Sequence, residues 1–346
     1  MRYIGSKARV LDFLEDCIHS CIPTRKGLAF VDLFAGTTIV AQHFKRLGYR
    51  IISNDYMAFS YILQLAMIKN SREPSFRKLG IGNYRTTLKL LNSLKTHKGF
   101  FYNNYCKNGQ PKGSFQRNYF SPDNAGKIDA IMQKLRKWRQ EIKISFNQEA
   151  ILRASLIDAV TRVSNISGTY GSFLNRDDPR KFKQMHLEPL MFIPSQEKHT
   201  CFNKDALTLI DRLSGDILYL DPPYNQRQYP PYYHILETLS LDDEPAIYGK
   251  TGRRPYKDKL SPFCIKTQAK AALTSLIKRA QFKHIFISYN SEGLLTTHQI
   301  RTLMSAFGKV KIFSRPHRRF RSNNNGKNHT KVKELLFYVH KNNREK

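Results

Sequence analysis

Acidic residues are scarce in this chain of 346 residues: 27 Asp and Glu stand against 58 Lys and Arg, a formal charge of +31. An excess of that size is costly in self-repulsion and points to a polyanionic partner. No stretch approaches the roughly 18 consecutive apolar residues of a membrane helix, so no membrane partner is expected. Cysteines are few, odd in number and scattered (Cys17, Cys21, Cys106, Cys201 and Cys264), which argues against a disulfide scaffold. Cys17 and Cys21 sit in a helical apolar pattern with no second ligand pair nearby, so they read as core and no metal is expected. The segment from Met1 to Lys7 lacks the apolar run of a secretory signal, and a cytoplasmic location is expected. What the chain does have is enough apolar surface for a packed core, with 40% hydrophobic and 12% aromatic residues, and enough length for one large domain or two ordinary ones.

One short stretch organises the rest. Ser214-Gly-Asp216 precedes an apolar run, Ile217 to Leu220, which reads as a buried strand. It delivers Asp221-Pro222-Pro223-Tyr224, where two prolines without N–H donors stop the sheet ladder. The Asp221 carboxylate, the Pro222 carbonyl and the Tyr224 ring are thereby expected on a stiff turn at the carboxyl end of a strand, the place where open α/β sheets bind ligands. An exocyclic amine offers two hydrogens, one for each acceptor, and an aromatic ring can stack on the base that bears it. An ordinary strand ending in a Pro-Pro turn is the competing reading of these four residues alone.

Three further strand ends support a nucleotide site. Leu28 to Gly36 runs as a strand into a Gly turn and the apolar helix from Thr37 to Phe44, the first half of a βαβ unit. Its spacing is not that of the dinucleotide fingerprint, but Gly36 permits close approach to a ligand, and Thr37 can cap the helix. Arg50 to Tyr56 is a second strand ending in Asp55, about 20 residues past the glycine, where an acid meets a ribose in such folds. A helix cap is the other reading of Asp55, and one residue can do both. His199 to Asp205 resumes the sheet. Upstream, Gly5, Ser6 and Lys7 form a small loop before a helical pattern, able to offer N–H groups and a cation to an anion.

Taken together, Asp221-Pro-Pro-Tyr224 with Asn225-Gln-Arg-Gln-Tyr229 and Tyr233-His-Ile-Leu-Glu237 resembles the D12 class of DNA adenine-N6 methyltransferases, nearest to those of type IIS restriction systems. The resemblance implies S-adenosylmethionine as cofactor. It implies that Tyr3, Gly5 and Lys7 hold its methionine end, that Asp55 takes the ribose and that Asp205 accepts from the adenine amine. Asp32, Phe34, Gly36 and Thr37 match the glycine loop, with Thr38 standing where the family pattern has its second glycine. No Pro-Cys nucleophile is visible for cytosine-C5 chemistry.

Residues 71–194 change character. Lys, Arg, Asn and aromatics interleave, and two helical stretches, Asn124 to Lys143 and Gln148 to Val163, carry apolar stripes. The resemblance places a target-recognition domain here, flanked by a catalytic domain over 1–70 and 195–346. The loop of Arg117, Asn118 and Tyr119 is expected to read bases; a helical insertion with a solvated basic face is the alternative. Gly168 and Gly171 allow tight turns in a small-residue segment that is either structural or near the catalytic face. Asn225, Arg227, Gln228 and Tyr229 are expected to reach DNA from a polar, Tyr-rich loop. Arg318, Arg319 and Arg321 are expected to track phosphates from a hairpin connection between the closing strands.

The expected fold is therefore α/β: a Rossmann-like methyltransferase sheet, mainly parallel with an antiparallel final strand, carrying an inserted, largely helical recognition domain. The expected activity is methyl transfer to N6 of a flipped-out adenine in double-stranded DNA, beside a cognate restriction endonuclease, by a monomer. RNA base methylation, or DNA binding without catalysis, are the alternatives.

Overall fold

The computed structural model describes residues 4–23, 27–110, 115–318 and 331–341, without the side chains of residues 317, 318 and 331. In chain order the principal elements are α1 (Leu11–Cys21), β1 (Ala29–Asp32), α2 (Ile39–Arg46), β2 (Arg50–Asn54), α3 (Ala58–Gln64), α4 (Tyr84–Ser93), α5 (Phe100–Tyr105), α6 (Pro122–Gln140) and α7 (Phe146–Val163). There follow β3 (Thr200–Phe202), α8 (Ala206–Leu209), β4 (Ser214–Leu220), α9 (Pro230–Leu241), α10 (Lys266–Arg279), β5 (Gln281–Asn290), α11 (Thr297–Ser305), β6 (Val310–Arg318) and β7 (Lys331–His340). They divide into two units. A sheet unit comprises Gly5–Gln64, Ile193–Gln228 and Asp258–Lys346; a helical unit comprises Leu65–Phe192 and Tyr229–Lys257, with Ile4.

The sheet has seven strands in the order β3-β2-β1-β4-β5-β7-β6. The first five are parallel, and β7 lies between β5 and β6, antiparallel to both. All four residues of β1 are buried, as expected of a central parallel strand covered on both faces. On α10, Ala269, Ala272, Leu273, Leu276 and Ile277 recur at the helical period and join the core that Leu218, Leu220, Ile285, Ile287 and Phe337 build from the strands. The chain steps outward from β1 to β2 and β3, then returns to β4 on the other side of β1. That reversal is a topological switch point, which opens a crevice at the carboxyl ends of β1 and β4.

In the helical unit, α6 and α7 start two residues earlier than their apolar stripes suggest, because serines cap them. Ser121 accepts from the Asn124 N–H and places Pro122 in the first turn, and Ser145 forms a reciprocal capping box with Gln148. The expected insertion boundaries need one change: Tyr229–Lys257 belongs with the helices. Arg153 donates to Leu239 O at 2.8 Å and to Asp242 Oδ2 at 3.0 Å, and Arg136 Nε donates to Asp242 Oδ1 at 2.8 Å. Tyr105 donates to Gly252 O at 2.9 Å. These bonds span far too much sequence for a pattern along the chain to reveal. The polar, Tyr-rich loop that carries Asn225 to Tyr229 ends at once: from Pro230 the chain is helix, and Tyr233 and His234 are buried in the helical unit. No helix of the described residues is long and apolar enough to cross a membrane.

Candidate active site at the switch point

β1 and β4 pair with Asp32 opposite Tyr219, so the acid that ends β1 and the Asp221 turn after β4 flank the crevice. The turn is stiff for the reason its prolines suggest, and the backbone holds it further: the Leu294 N–H donates to Tyr224 O at 2.8 Å. The Tyr224 ring meets Tyr289 edge-on at 5.7 Å. Burial pushes the Tyr224 hydroxyl up to about 12, so it stays neutral.

Lys7 comes to this turn from the loop before α1. Its ammonium donates to Glu334 Oε1 on β7 at 2.7 Å and lies 5.3 Å from the centre of the Tyr224 ring. It also stands 3.2 Å from Asp221 Oδ1 as an ion pair outside hydrogen-bond geometry, and that buried oxygen has no hydrogen-bond partner among the described residues. Burial opposes the charge on Lys7, but Asp221 and Glu334 outweigh it and hold its pKa well above the usual lysine value. Desolvation pushes the Asp221 carboxyl up to about 7; Lys7 pulls it down and Glu334 pushes it up. This differs from the expectation that Lys7 holds the methionine end of a cofactor. The side chain is 3% exposed and engaged with two protein carboxylates.

Asp32 is 1% exposed, and its Oδ1 likewise has no hydrogen-bond partner among the described residues. Burial raises its pKa well above the ordinary carboxylate value, with the charges of Asp221 and Asp55 adding. Phe34 is half-buried with its ring edge-on to Phe263 at 5.3 Å. Gly36 lies at φ 50, and Thr38 at φ 64, the left-handed region that non-glycine residues avoid. Thr38 thus keeps the backbone of the glycine it replaces; it is fully buried and accepts from Gln42 Nε2 at 2.8 Å. Thr37 is not the cap: α2 starts after Thr38, and no side chain caps it, because the left-handed turn rotates both hydroxyls away from the first helical N–H groups.

Asp55 accepts from the Gly36 N–H at 2.8 Å and from the Met57 N–H at 2.9 Å. It therefore pins the glycine turn to the end of β2. Asp205 caps α8 by accepting from the Thr208 N–H at 3.0 Å. Asn225 accepts from the Arg227 N–H at 2.9 Å, and Gln228 bonds both backbone groups of Ser261, so its amide is committed to holding the loop. Arg227 is exposed, and Tyr229 is half-buried at the start of α9.

The base-reading loop fails on burial. Arg117, Asn118 and Tyr119 are 4%, 3% and 0% exposed. Arg117 donates to Gly249 O, Asn118 to Asp177 and Tyr119 to Tyr170 O, so the loop is internal scaffold of the helical unit. Tyr3, Arg319 and Arg321 lie outside the described residues, as does the Arg318 side chain. Glu334, Ser288 and Tyr219 escape a reading of the sequence. The one signal is for Glu334, a lone acid just before the apolar run Leu335 to Val339 in an acid-poor chain.

A family model for the D12 class N6 adenine-specific DNA methyltransferases matches residues 3–303. The chain belongs to that family. It is 39% identical to the type II methyltransferase M.FokI of Planomicrobium okeanokoites over 99% of this chain and 53% of that protein. It is 36% identical to the type II methyltransferase M.NlaIII of Neisseria lactamica over 98% of both chains. It is 34% identical to the modification methylase StsI of Streptococcus sanguinis over 98% of this chain and 52% of that one. The chain therefore spans about half the length of M.FokI and StsI and nearly all of M.NlaIII. Overlap with solved structures is loose: the magnesium protoporphyrin IX methyltransferase of Synechocystis is 9% identical with a TM-score of 0.33, over 96% of this chain and 79% of that one.

Whether the residues present suit the family's cofactor is a question of charge. S-adenosylmethionine is cationic at its sulfonium and ammonium groups. The switch point gathers Asp32, Asp55, Asp221 and Glu334, of which Lys7 pairs with Asp221 and Glu334, and two of the carboxylate oxygens are buried without hydrogen-bond partners among the described residues. That donor set fits a cationic ligand.

Proposed function

We propose that this chain methylates N6 of adenine in double-stranded DNA and serves as the modification partner of a restriction endonuclease that reads the same site, in the cytoplasm and as a monomer. The observation that carries this reading is the buried oxygen of Asp221, without a hydrogen-bond partner among the described residues, on a Pro-Pro turn at the switch point. Bound S-adenosylmethionine supplies an electrophilic sulfonium methyl. Asp32, Phe34, Gly36, Thr37, Asp55 and Asp205 line the strand ends that would hold it, with Tyr3 from the chain's start, while Lys7 stays with Asp221 and Glu334.

Asp221 and the Pro222 carbonyl each accept one hydrogen of the adenine amine, Pro223 keeps the turn rigid, and the Tyr224 ring packs on the base. Held this way, the nitrogen lone pair is aligned with the methyl carbon, which is a catalysis of proximity and orientation. The bound cofactor would give up its methyl with the carbon–sulfur electron pair left on sulfur as the carbon–nitrogen bond formed, and the Asp221 carboxylate would take up one amine proton. A carboxyl near pKa 7 is matched to receiving that proton at neutral pH. The base must leave the stack, at about a few kcal/mol. Asn225, Arg227 and Tyr229 on the following loop, which Gln228 holds to Ser261, and Arg318, Arg319 and Arg321, contribute DNA contacts that offset this cost.

The test is transfer of labelled methyl from S-adenosylmethionine to duplex DNA and to RNA, with adenine methylation called at each base in DNA from expressing cells. Label on adenine N6 at one recurring sequence is the expected result. Label only on RNA establishes the RNA alternative, and no label with intact DNA binding establishes the non-catalytic one.

A further inference from the structure

Glu334 sits at the start of β7, opposite Asn290 on β5 and Arg315 on β6. It is 4% exposed, and Ser288 and Lys7 beside it are 0% and 3% exposed. A single oxygen, Oε1, takes two hydrogens: one from Lys7 Nζ at 2.7 Å and one from Ser288 Oγ at 2.6 Å. Lys7 is thus hydrogen-bonded to Glu334 while standing 3.2 Å from Asp221 without a hydrogen bond. Burying such ions costs several kcal/mol each, and apolar residues of similar volume often serve stability as well or better. The arrangement therefore calls for a reason other than folding.

We propose that Glu334 is a positioning residue for the methyl transfer: it draws the Lys7 ammonium away from Asp221, with Ser288 orienting it, so that Asp221 keeps an oxygen for the target amine. This rests on the adenine-N6 reading above. Without the Glu334 charge, the ammonium's strongest remaining partner is Asp221, and a charge-assisted bond of about 2.7–2.9 Å would occupy the acceptor the amine needs. The groups facing Asp221 are Lys7 from the loop before α1, Glu334 from β7, Asp32 from β1, and Tyr219 and Tyr224 from its own strand and turn. Only Lys7 among these is cationic, and Glu334 sets how much of its charge Asp221 receives.

Glu334→Gln removes the charge at constant volume. In the full-length protein kcat is expected to fall roughly tenfold or more, the scale of a displaced proton acceptor. KM for S-adenosylmethionine and DNA should stay near the parent values, and the acid limb of the pH–rate profile should move to lower pH. Glu334→Asp, which restores the charge, should return the limb and part of kcat. Carbon-13 titration of the Asp221 carboxyl in the free protein, assigned through Asp221→Asn, should show the same downward move in Glu334→Gln. Should Glu334→Gln fail to fold, Ser288→Ala decides: a severalfold loss in kcat at parent KM supports the proposal, and parent kcat overturns it. A folded Glu334→Gln with parent rate and parent limb overturns it. So does a rate loss with an unmoved limb that Glu334→Asp leaves unrescued, the mark of a merely structural role. A parent protein that methylates no adenine strikes the functional reading instead, while the carbon-13 titration still judges the action of Glu334 on Asp221.

Discussion

Each unit of the molecule buries a cluster of charges, and the two clusters are built differently. In the helical unit, Arg153 donates to Glu149, Leu239 O, Ser240 O and Asp242, while Arg136 adds a second cation to Asp242 and Glu244. Cations and anions are in near balance, and the bonds join α7 to the end of α9. In the sheet unit one lysine faces Asp221 and Glu334, with Asp32 close by, so buried carboxylates outnumber cations. Asp32 and Asp221 each keep an oxygen without a hydrogen-bond partner among the described residues, as Glu149 does in the helical cluster. Burial of charge, or one open oxygen, is thus no sign of function in itself. The imbalance of charge is the sign, because an excess of buried carboxylates is expensive and is relieved when a donor or cation arrives.

That contrast can be broken most severely at Asp221. Asp221→Ala should lower kcat by about 10²–10⁴-fold, as expected for loss of a proton acceptor, while calorimetry shows nearly unchanged S-adenosylmethionine binding. Near-normal turnover would sink the assignment. Arg153→Ala should do the opposite: lose about 3–5 kcal/mol of stability, because Glu149 and Asp242 lose the buried cation between them and are left with the partly exposed Arg136 and Arg139, while kcat per folded molecule persists. Denaturant unfolding and a transfer assay on the same preparation separate the two outcomes. Next in size is pH. Asp221 can take up the amine proton only when ionised, so the parent rate should rise with pH through about 7 and be lost below it. A profile flat from pH 5 to 8 would show that Asp221 is already ionised at pH 5.

Asp55→Ala removes two charge-assisted hydrogen bonds that hold the glycine turn, each worth roughly 1.5–3 kcal/mol. Binding of S-adenosylmethionine should weaken by roughly tenfold or more; an unchanged dissociation constant counts against the ribose assignment. The smallest effect distinguishes two groups of arginines. Arg117→Ala should lower thermal stability and leave the salt dependence of DNA binding alone, since its guanidinium is spent on backbone carbonyls. Replacing Arg318, Arg319 and Arg321 together should leave stability alone and flatten the plot of log affinity against log salt by roughly 0.9 for each phosphate no longer neutralised. A parent slope in that triple variant would show that these residues do not track phosphate.

Legibility follows the range of the interaction. The strands ending at Asp32, Asp55 and Asp221 are readable, because a short apolar run closed by an acid or a proline is a pattern within ten residues. The caps at Ser121 and Ser145 are local too, but the apolar stripes that mark the helices begin after them and hide the true starts. Arg117, Asn118 and Tyr119 mislead because a basic-aromatic tripeptide has the same composition whether it faces solvent or fills a core. Its burial depends on Gly249, Asp177 and Tyr170, which lie elsewhere in the chain.

By itself the sequence determined the strongly basic character through its charge balance, the α/β alternation through its apolar runs, and the stiff strand-end turn through Asp221-Pro-Pro-Tyr224. These are matters of composition and local backbone, decided within a few residues of one another. Only the tertiary structure decided which charges are neutralised and which are left open. Lys7 and Glu334 are 327 residues apart in sequence and 2.7 Å apart in space. They meet because β7 threads between β5 and β6, and electrostatics depends on distance in space rather than along the chain.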